Sequence, residues 1–125
     1  MNPFTQSLLQ RITDPALVEF VTRWDALESL VIRVYKGNAA SDSDVQEFRE
    51  LRAHLERTYP LWERDMEAYW RATKIGGEAA AGDPFRALLQ VQEAAGFMGS
   101  WRAMQTLPAA REALNHFLLD RIQAP

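Results

Sequence analysis

Glu28 is the residue whose position in the sequence points most directly to chemistry. Around it, large apolar residues recur every three or four positions, as on one buried helix face, at Leu17, Phe20, Trp24, Leu27, Val31 and Val34. At about 100° per residue, Glu28 falls on that face and Asp25 falls on the outward polar arc. A lone buried carboxylate costs several kcal/mol unless it is paired or neutralised. We therefore expect Glu28 to be mostly buried and to contact a cation from another helix.

Four basic side chains come level with Glu28 if consecutive helices run antiparallel, namely Arg52, His54, Arg102 and Arg111. One interpretation is a structural ion pair that sets the register of two helices. A second is a polar-lined pocket in the core that binds a small anionic or amphipathic molecule between arginines and aromatic walls. A metal site and a rotated helix face are the remaining alternatives. The candidate binding residues are Glu28, His54, Arg102 and Arg111.

The two histidines do not form a metal motif. Each follows a glutamate at i,i+4, in Glu50/His54 and Glu112/His116, whereas di-iron bundles use Glu-x-x-His at i,i+3. Glu50, Glu112 and His116 also turn away from the apolar stripes of their helices. The pattern therefore favours solvent-exposed helix surface and predicts no metal site.

Other catalytic motifs are missing from the sequence. No serine lies in a nucleophile elbow, and the absence of cysteine removes a thiol nucleophile and thiolate metal ligands. Gly76–Gly77 and the Gly96/Gly99 pair do not fit a phosphate-binding loop. The sequence predicts no catalytic residue and no cofactor, and it favours a non-enzymatic protein.

A second feature is a change of polarity along one predicted helix. The face that carries Arg86, Gln90 and Glu93 continues with Phe97, Trp101 and Met104. These three large side chains need a cover, because soluble monomers rarely expose such a patch. The alternatives are an N-terminal stripe of Phe4, Leu8 and Ile12, a second subunit, a helix break at Gly96 that turns Trp101 inward, or a small-molecule site. The candidate interface residues are Phe97, Trp101, Met104, Phe4 and Leu8.

The elements that position these residues are predicted to be helices. Asp14-Pro15 and Asp83-Pro84 are typical helix starts, Ser43 with Gln46 fits a capping box, and glycines mark the stops. Helices are predicted over about 3–12, 15–36, 44–74 with a kink at Pro60, 84–105 and 108–122. Short connections favour antiparallel neighbours. The predicted fold is all-α, a single domain over 1–125 that forms an antiparallel up-down-up-down four-helix bundle with a short extra N-terminal helix.

Composition bounds the class of protein. Hydrophobic residues make up 47% and charged residues 25% of the 125 residues, which is typical of a globular domain. The net charge of −3 argues against a nucleic-acid partner. No signal peptide or membrane-spanning run is recognisable, so a cytoplasmic protein without a membrane partner is expected. The leading hypothesis is a helical interaction module that forms a homodimer. The alternative function is a bundle that binds or senses a small molecule. The alternative partner is an unidentified protein or small molecule.

Overall fold

The computed structural model describes residues 3–37, 39–75, 78–79 and 82–123. The described residues form seven α-helices, and the predicted all-α class is confirmed. In chain order these are α1 (Pro3–Leu9), α2 (Pro15–Gly37), α3 (Asp42–Thr58), α4 (Glu63–Ala72), α5 (Pro84–Leu89), α6 (Ala94–Met98) and α7 (Trp101–Gln123). A 3-10 turn, Tyr59–Leu61, lies between α3 and α4. Two residues each of β1 (Lys74–Ile75) and β2 (Glu78–Ala79) pair antiparallel, with Lys74 opposite Ala79. The stop predicted at Gly76–Gly77 lies outside the described residues.

The first long helix matches its prediction closely, and the second begins earlier than predicted. Asp14 accepts a hydrogen bond from the Ala16 N–H at 3.0 Å, as expected of an N-cap. The capping box of α3 is Ser41 with Asp44, not Ser43 with Gln46. The Ser41 backbone N–H and then the Arg33 guanidinium lower the pKa of Asp44. α3 therefore starts at Asp42, immediately after a short loop that folds it back along α2.

The single helix predicted over 44–74 is wrong, because the chain leaves the α-conformation at Tyr59–Leu61. Pro60 has no N–H to donate, and its ring clashes with the preceding helical turn. The chain tightens locally, and the Trp62 N–H bonds the Tyr59 carbonyl at 2.9 Å. The turn lies at Pro60, where the kink is predicted, and Leu55 and Trp62 are buried on either side of it.

The helices predicted over 84–105 and 108–122 are also wrong in their boundaries. The first is broken twice, after Leu89 and after Met98, and the second begins seven residues earlier, at Trp101. Glu93 and Ser100 supply side-chain caps to the backbone at these breaks. Pro108 lies inside α7 and does not end it. The short α1 ends at Leu9 rather than near residue 12.

The centre of the molecule is a group of contacting aromatic rings. Phe85 of α5 lies 5.2 Å from Trp24 and 5.1 Å from Tyr59, measured between ring centroids. Phe20 lies 5.2 Å from Trp62. All five side chains are buried, so α2, the 3-10 turn, the start of α4 and α5 share one core. The buried position predicted for Trp24 is confirmed.

Candidate functional site

A buried polar cluster joins α2 to α7, and Glu28 is at its centre. The Arg111 guanidinium donates from Nη2 to Glu28 Oε1 at 2.7 Å and from Nε to the same oxygen at 3.1 Å. The side chains of Arg111 and Glu28 are 12% and 16% exposed. The predicted contact of Glu28 with a cation from another helix is therefore confirmed, and the cation is Arg111.

Asp25 is a second carboxylate of the cluster, and the sequence pattern placed it wrongly. Its Oδ1 accepts from Arg111 Nη2 at 3.0 Å, and the residue is 8% exposed. Asp25 lies next to Glu28 on the flank of α2 that α7 covers. No signal in the sequence identifies it, because its position falls on the polar arc and only the packing of α7 buries that arc.

The cluster also holds the N-terminal helix. Arg111 Nη1 donates to Thr5 Oγ1 at 3.0 Å, and the Thr5 hydroxyl donates to Asn115 Oδ1 at 2.9 Å. Thr5 is fully buried, with 0% exposure. Arg111 of α7 is thus hydrogen-bonded to both α1 and α2, through its Nε, Nη1 and Nη2 atoms.

The chemistry of this arrangement is structural. Arginine stays protonated at every physiological pH and cannot exchange protons with a substrate. The two carboxylates accept hydrogen bonds from it, and no nucleophile of cysteine or lysine type is part of the cluster. Asp25 and Glu28 of α2 are joined to Arg111 of α7 by hydrogen bonds and ion pairs.

The other predicted binding residues lie elsewhere. Arg102 is exposed in the first turn of α7. Arg52 donates from Nη1 to the Val91 carbonyl and lies over the Phe48 ring at 5.7 Å. His54 is half-buried, and its Nε2 has no hydrogen-bond partner in the part of the chain that the structure describes. The structure brings Arg111 to Glu28 and leaves the remaining three apart from it.

Among the described residues, the surface has open grooves that are lined by none of Glu28, His54, Arg102 and Arg111. One of about 610 Å³ runs along α2 beside Leu51, and one of about 630 Å³ lies between α4 and α7. The third, about 420 Å³, lies between Trp70 and Arg86. The position predicted for a polar-lined core pocket is occupied by the side chains that bond Glu28.

A second polar cluster, which sequence reasoning missed, surrounds Tyr59. Its hydroxyl donates to Asp83 Oδ2 at 2.7 Å, while Asp83 Oδ1 accepts from the Phe85 N–H at 2.9 Å as the N-cap of α5. Arg86 lies over the Tyr59 ring at 5.4 Å and donates to both Glu63 oxygens at 2.5 Å. This ion pair lowers the pKa of Glu63. The predicted cap at Asp83 was the only available signal for the cluster.

Burial raises the pKa of Tyr59 well above its ordinary value of 10.0, and the hydrogen bond to Asp83 reinforces the shift. The folded pKa exceeds the unfolded one, so this contribution to stability is complete below about pH 10 and is lost as the pH rises further. We expect Tyr59→Phe to flatten the fall in unfolding free energy above that pH. The unfolding free energy, measured by urea titration at a series of alkaline pH values, tests this expectation. Burial and then the hydrogen bond to Asp120 also raise the pKa of Tyr69, but this side chain is only half-buried, so Tyr69→Phe should flatten the fall less. An equal flattening by both substitutions would contradict the assignment to Tyr59.

The predicted interface residues divide into a buried and an exposed set. Phe97 is buried, 6.1 Å from the Phe48 ring, and Leu8 is 5% exposed, so both belong to the core of their own chain. Trp101 is 66% exposed and Phe4 is 52% exposed. Met104 is half-buried.

Neither the N-terminal stripe nor a break at Gly96, the two covers expected within one chain, encloses Trp101. The helix breaks at Gly99–Ser100 rather than at Gly96, and Trp101 points outward after the break. Thr5 of α1 contacts α7 at Arg111, ten residues beyond Trp101 or about 15 Å along the helix axis. Trp101 is therefore the most exposed tryptophan whose surroundings the structure describes.

Two further searches give negative results within the described ranges. No group of three or more His, Cys, Asp or Glu side chains there is arranged to hold a metal ion. No helix among the described residues combines the length and the apolar character needed to cross a bilayer.

Comparison with family models, with curated proteins and with solved structures finds no match to this chain.

Proposed function

We propose that the chain is a non-enzymatic helical interaction module that self-associates as a homodimer. The main support is the position of Trp101. This residue is the first of α7, and it is 66% exposed. Tryptophan contributes a large apolar area and is enriched among the residues that dominate protein interfaces. An indole held on a helix in water is best explained by a protein surface that covers it.

The polar residues of the chain support a structural over a catalytic role. Arg111 donates hydrogen bonds to Asp25, Glu28 and Thr5 from all three of its guanidinium nitrogens. Asp83 is occupied by the Tyr59 hydroxyl and by the backbone of α5. Both clusters therefore use their polar atoms to join helices.

A second copy is the partner that we propose, because two of the exposed large apolar residues, Trp101 and Phe4, lie on helices that pack against each other. Phe4 is 52% exposed on α1, which packs against α7. A two-fold symmetric pair needs only one self-complementary patch, and it is the commonest closed assembly.

We further propose that the four longest helices form an antiparallel bundle that presents this surface. α2 and α3 pack against each other and follow one another after a short connection, which favours opposite directions. Between α4 and α7, Asp65 pairs with Arg121 while Tyr69 lies 5.6 Å from Phe117, so residue numbers rise along one helix and fall along the other. This supports an antiparallel α4/α7 pair.

Replacing Trp101 by glutamate should convert the dimer into a folded monomer. Light scattering on the eluted peak is expected to give twice the 14.3 kDa chain mass for the unchanged protein and the chain mass for Trp101→Glu. Circular dichroism should show unchanged helix content, because the side chain lies outside the core.

Leu61→Glu is the matched control, since Leu61 is also 66% exposed but lies in the 3-10 turn. It should leave the dimer intact. An unchanged protein that stays at the chain mass at every concentration would refute the proposal, and so would equal dissociation by both substitutions.

A further inference from the structure

The N-terminal helix α1 is short, and two of its side chains are buried. These are Thr5 and Leu8, in a helix of seven residues. The Thr5 hydroxyl accepts from Arg111 Nη1 at 3.0 Å and donates to Asn115 Oδ1 at 2.9 Å, and both of these partners belong to α7. Leu8 is 5% exposed and packs in the core. A helix of about two turns is unstable in water by itself, so the helical form of α1 depends on its attachment.

The parts of the molecule beneath α1 are also held by contacts that do not involve it. Arg111 donates from Nη2 to both Asp25 and Glu28, and from Nε to Glu28, so its guanidinium stays fixed to α2 without Thr5. The start of α2 is capped by Asp14, which lies outside α1. The detachment of α1 therefore leaves the cluster and the beginning of α2 intact.

α1 also contributes less to the core than the other two short helices. α5 buries four side chains, including Phe85, and α6 buries three, including Phe97. Leu8 is the one buried apolar side chain among the seven residues of α1. The elements that open at the lowest free energy in a folded protein are those with few buried apolar contacts.

We infer that α1 is a strap that detaches from α7 as a unit while the remaining helices stay folded. In the open form, Arg111 Nη1 and Asn115 Oδ1 lose their hydroxyl partner and meet solvent. Thr5 and Leu8 are three residues apart and share one face of α1, so the recess that Leu8 leaves opens beside these polar atoms. A partner that binds the uncovered donor, acceptor and apolar recess would shift the chain toward the open form. The opening is unimolecular and does not depend on the self-association proposed above.

Native-state hydrogen exchange measures this opening. The Gln10 N–H donates to the Gln6 carbonyl and the Arg11 N–H donates to the Leu8 carbonyl, so both amides exchange when α1 detaches. Their protection should be at least about a hundredfold below that of the central α2 amides, which exchange only when the whole chain unfolds. Low concentrations of urea should accelerate the α2 amides and barely affect these two, because the opening of α1 exposes little surface.

Phe85→Ala separates local from global opening, because Phe85 lies among the aromatic rings of α2 and the 3-10 turn. It should accelerate exchange of the α2 amides by roughly a hundredfold or more and leave the Gln10 and Arg11 amides unchanged. Phe85→Leu, a milder change, serves if the alanine variant does not fold. Equal acceleration of both sets of amides would mean that α1 opens only with the whole chain, and it would overturn the inference.

Thr5→Val tests what holds the strap closed. It replaces the hydroxyl by a methyl group and removes the partner that Arg111 Nη1 and Asn115 Oδ1 share in the closed form. Exchange of the Gln10 and Arg11 amides should rise about tenfold or more, as expected for the loss of a hydrogen bond to a charged group. Thr5→Ser keeps the hydroxyl and should change this rate far less. Equal rates in Thr5→Val and the unchanged protein would overturn the role of Thr5 as the fastening of the strap.

Discussion

Replacing Arg111 by methionine is expected to lower the unfolding free energy by about 3–5 kcal/mol, since it strands buried carboxylates. The side chains of Asp25 and Glu28 are 11% and 16% exposed, and the substitution would leave them without the cation that donates hydrogen bonds to both. Urea denaturation followed by circular dichroism measures the loss. The substitution also removes the hydrogen bond to Thr5, so α1 should become more susceptible to proteolysis.

The control for this prediction lies on the same helix. Arg121 pairs with Asp65 at 3.6 Å, with side chains 41% and 61% exposed, and exposed pairs contribute about 0–1 kcal/mol. Arg121→Met should therefore change stability by less than about 1 kcal/mol. If Arg111→Met costs no more than Arg121→Met, the buried cluster does not hold α2 and α7 in register.

Replacing Phe85 by alanine is expected to cost about 3–5 kcal/mol, the usual range for deleting a buried aromatic ring. Phe85 is 2% exposed and contacts the rings of Phe20, Trp24 and Tyr59. These neighbours belong to α2 and the 3-10 turn, and rigid rings fill the resulting cavity poorly. The midpoint of urea unfolding measures the effect.

Phe4→Ala removes the same side chain at a position that is 52% exposed. It should cost less than about 1 kcal/mol, because little buried area is lost. Comparable losses from Phe85→Ala and Phe4→Ala would mean that Phe85 is not part of the central core.

The buried cluster and the proposed contact surface are physically linked. Arg111 lies three residues beyond Pro108, and its bonds to α2 limit rotation of α7 about its own axis. The rotation of α7 decides whether Trp101 and Met104 face solvent or the core. The cluster thereby limits which face of α7 is turned outward.

Local patterns in the sequence determined the fold class and most of the buried positions. The apolar spacing of α2 correctly identified Leu17, Trp24 and Val31 as buried. Asp14 and Asp83 correctly marked helix starts. These signals depend on helix geometry and on backbone hydrogen bonds within a few residues, so the sequence alone contains them.

The sequence also determined that Glu28 needs a cation, but not which one. Arg52, His54, Arg102 and Arg111 were all level with it, and only the packing of α7 on α2 selects Arg111. The same packing buries Asp25, which lies on an arc of α2 that the sequence pattern predicts to face solvent. A choice among these residues depends on how whole helix faces meet, which involves contacts between residues more than eighty positions apart.

The tertiary structure alone decided where the later helices begin and end. Gln90–Glu93 interrupts a segment with acceptable helix propensity, whereas α7 continues through Pro108. Propensity differences are mostly fractions of a kcal/mol per residue, and even the roughly 3 kcal/mol cost of an interior proline is comparable with the burial of one or two large side chains. The chain therefore breaks where Phe97 and Met98 can enter the core, and it stays helical where Leu107, Ala110 and Leu114 already pack there. The balance between helix propensity and side-chain burial depends on contacts across the whole molecule, and a local sequence pattern does not contain that information.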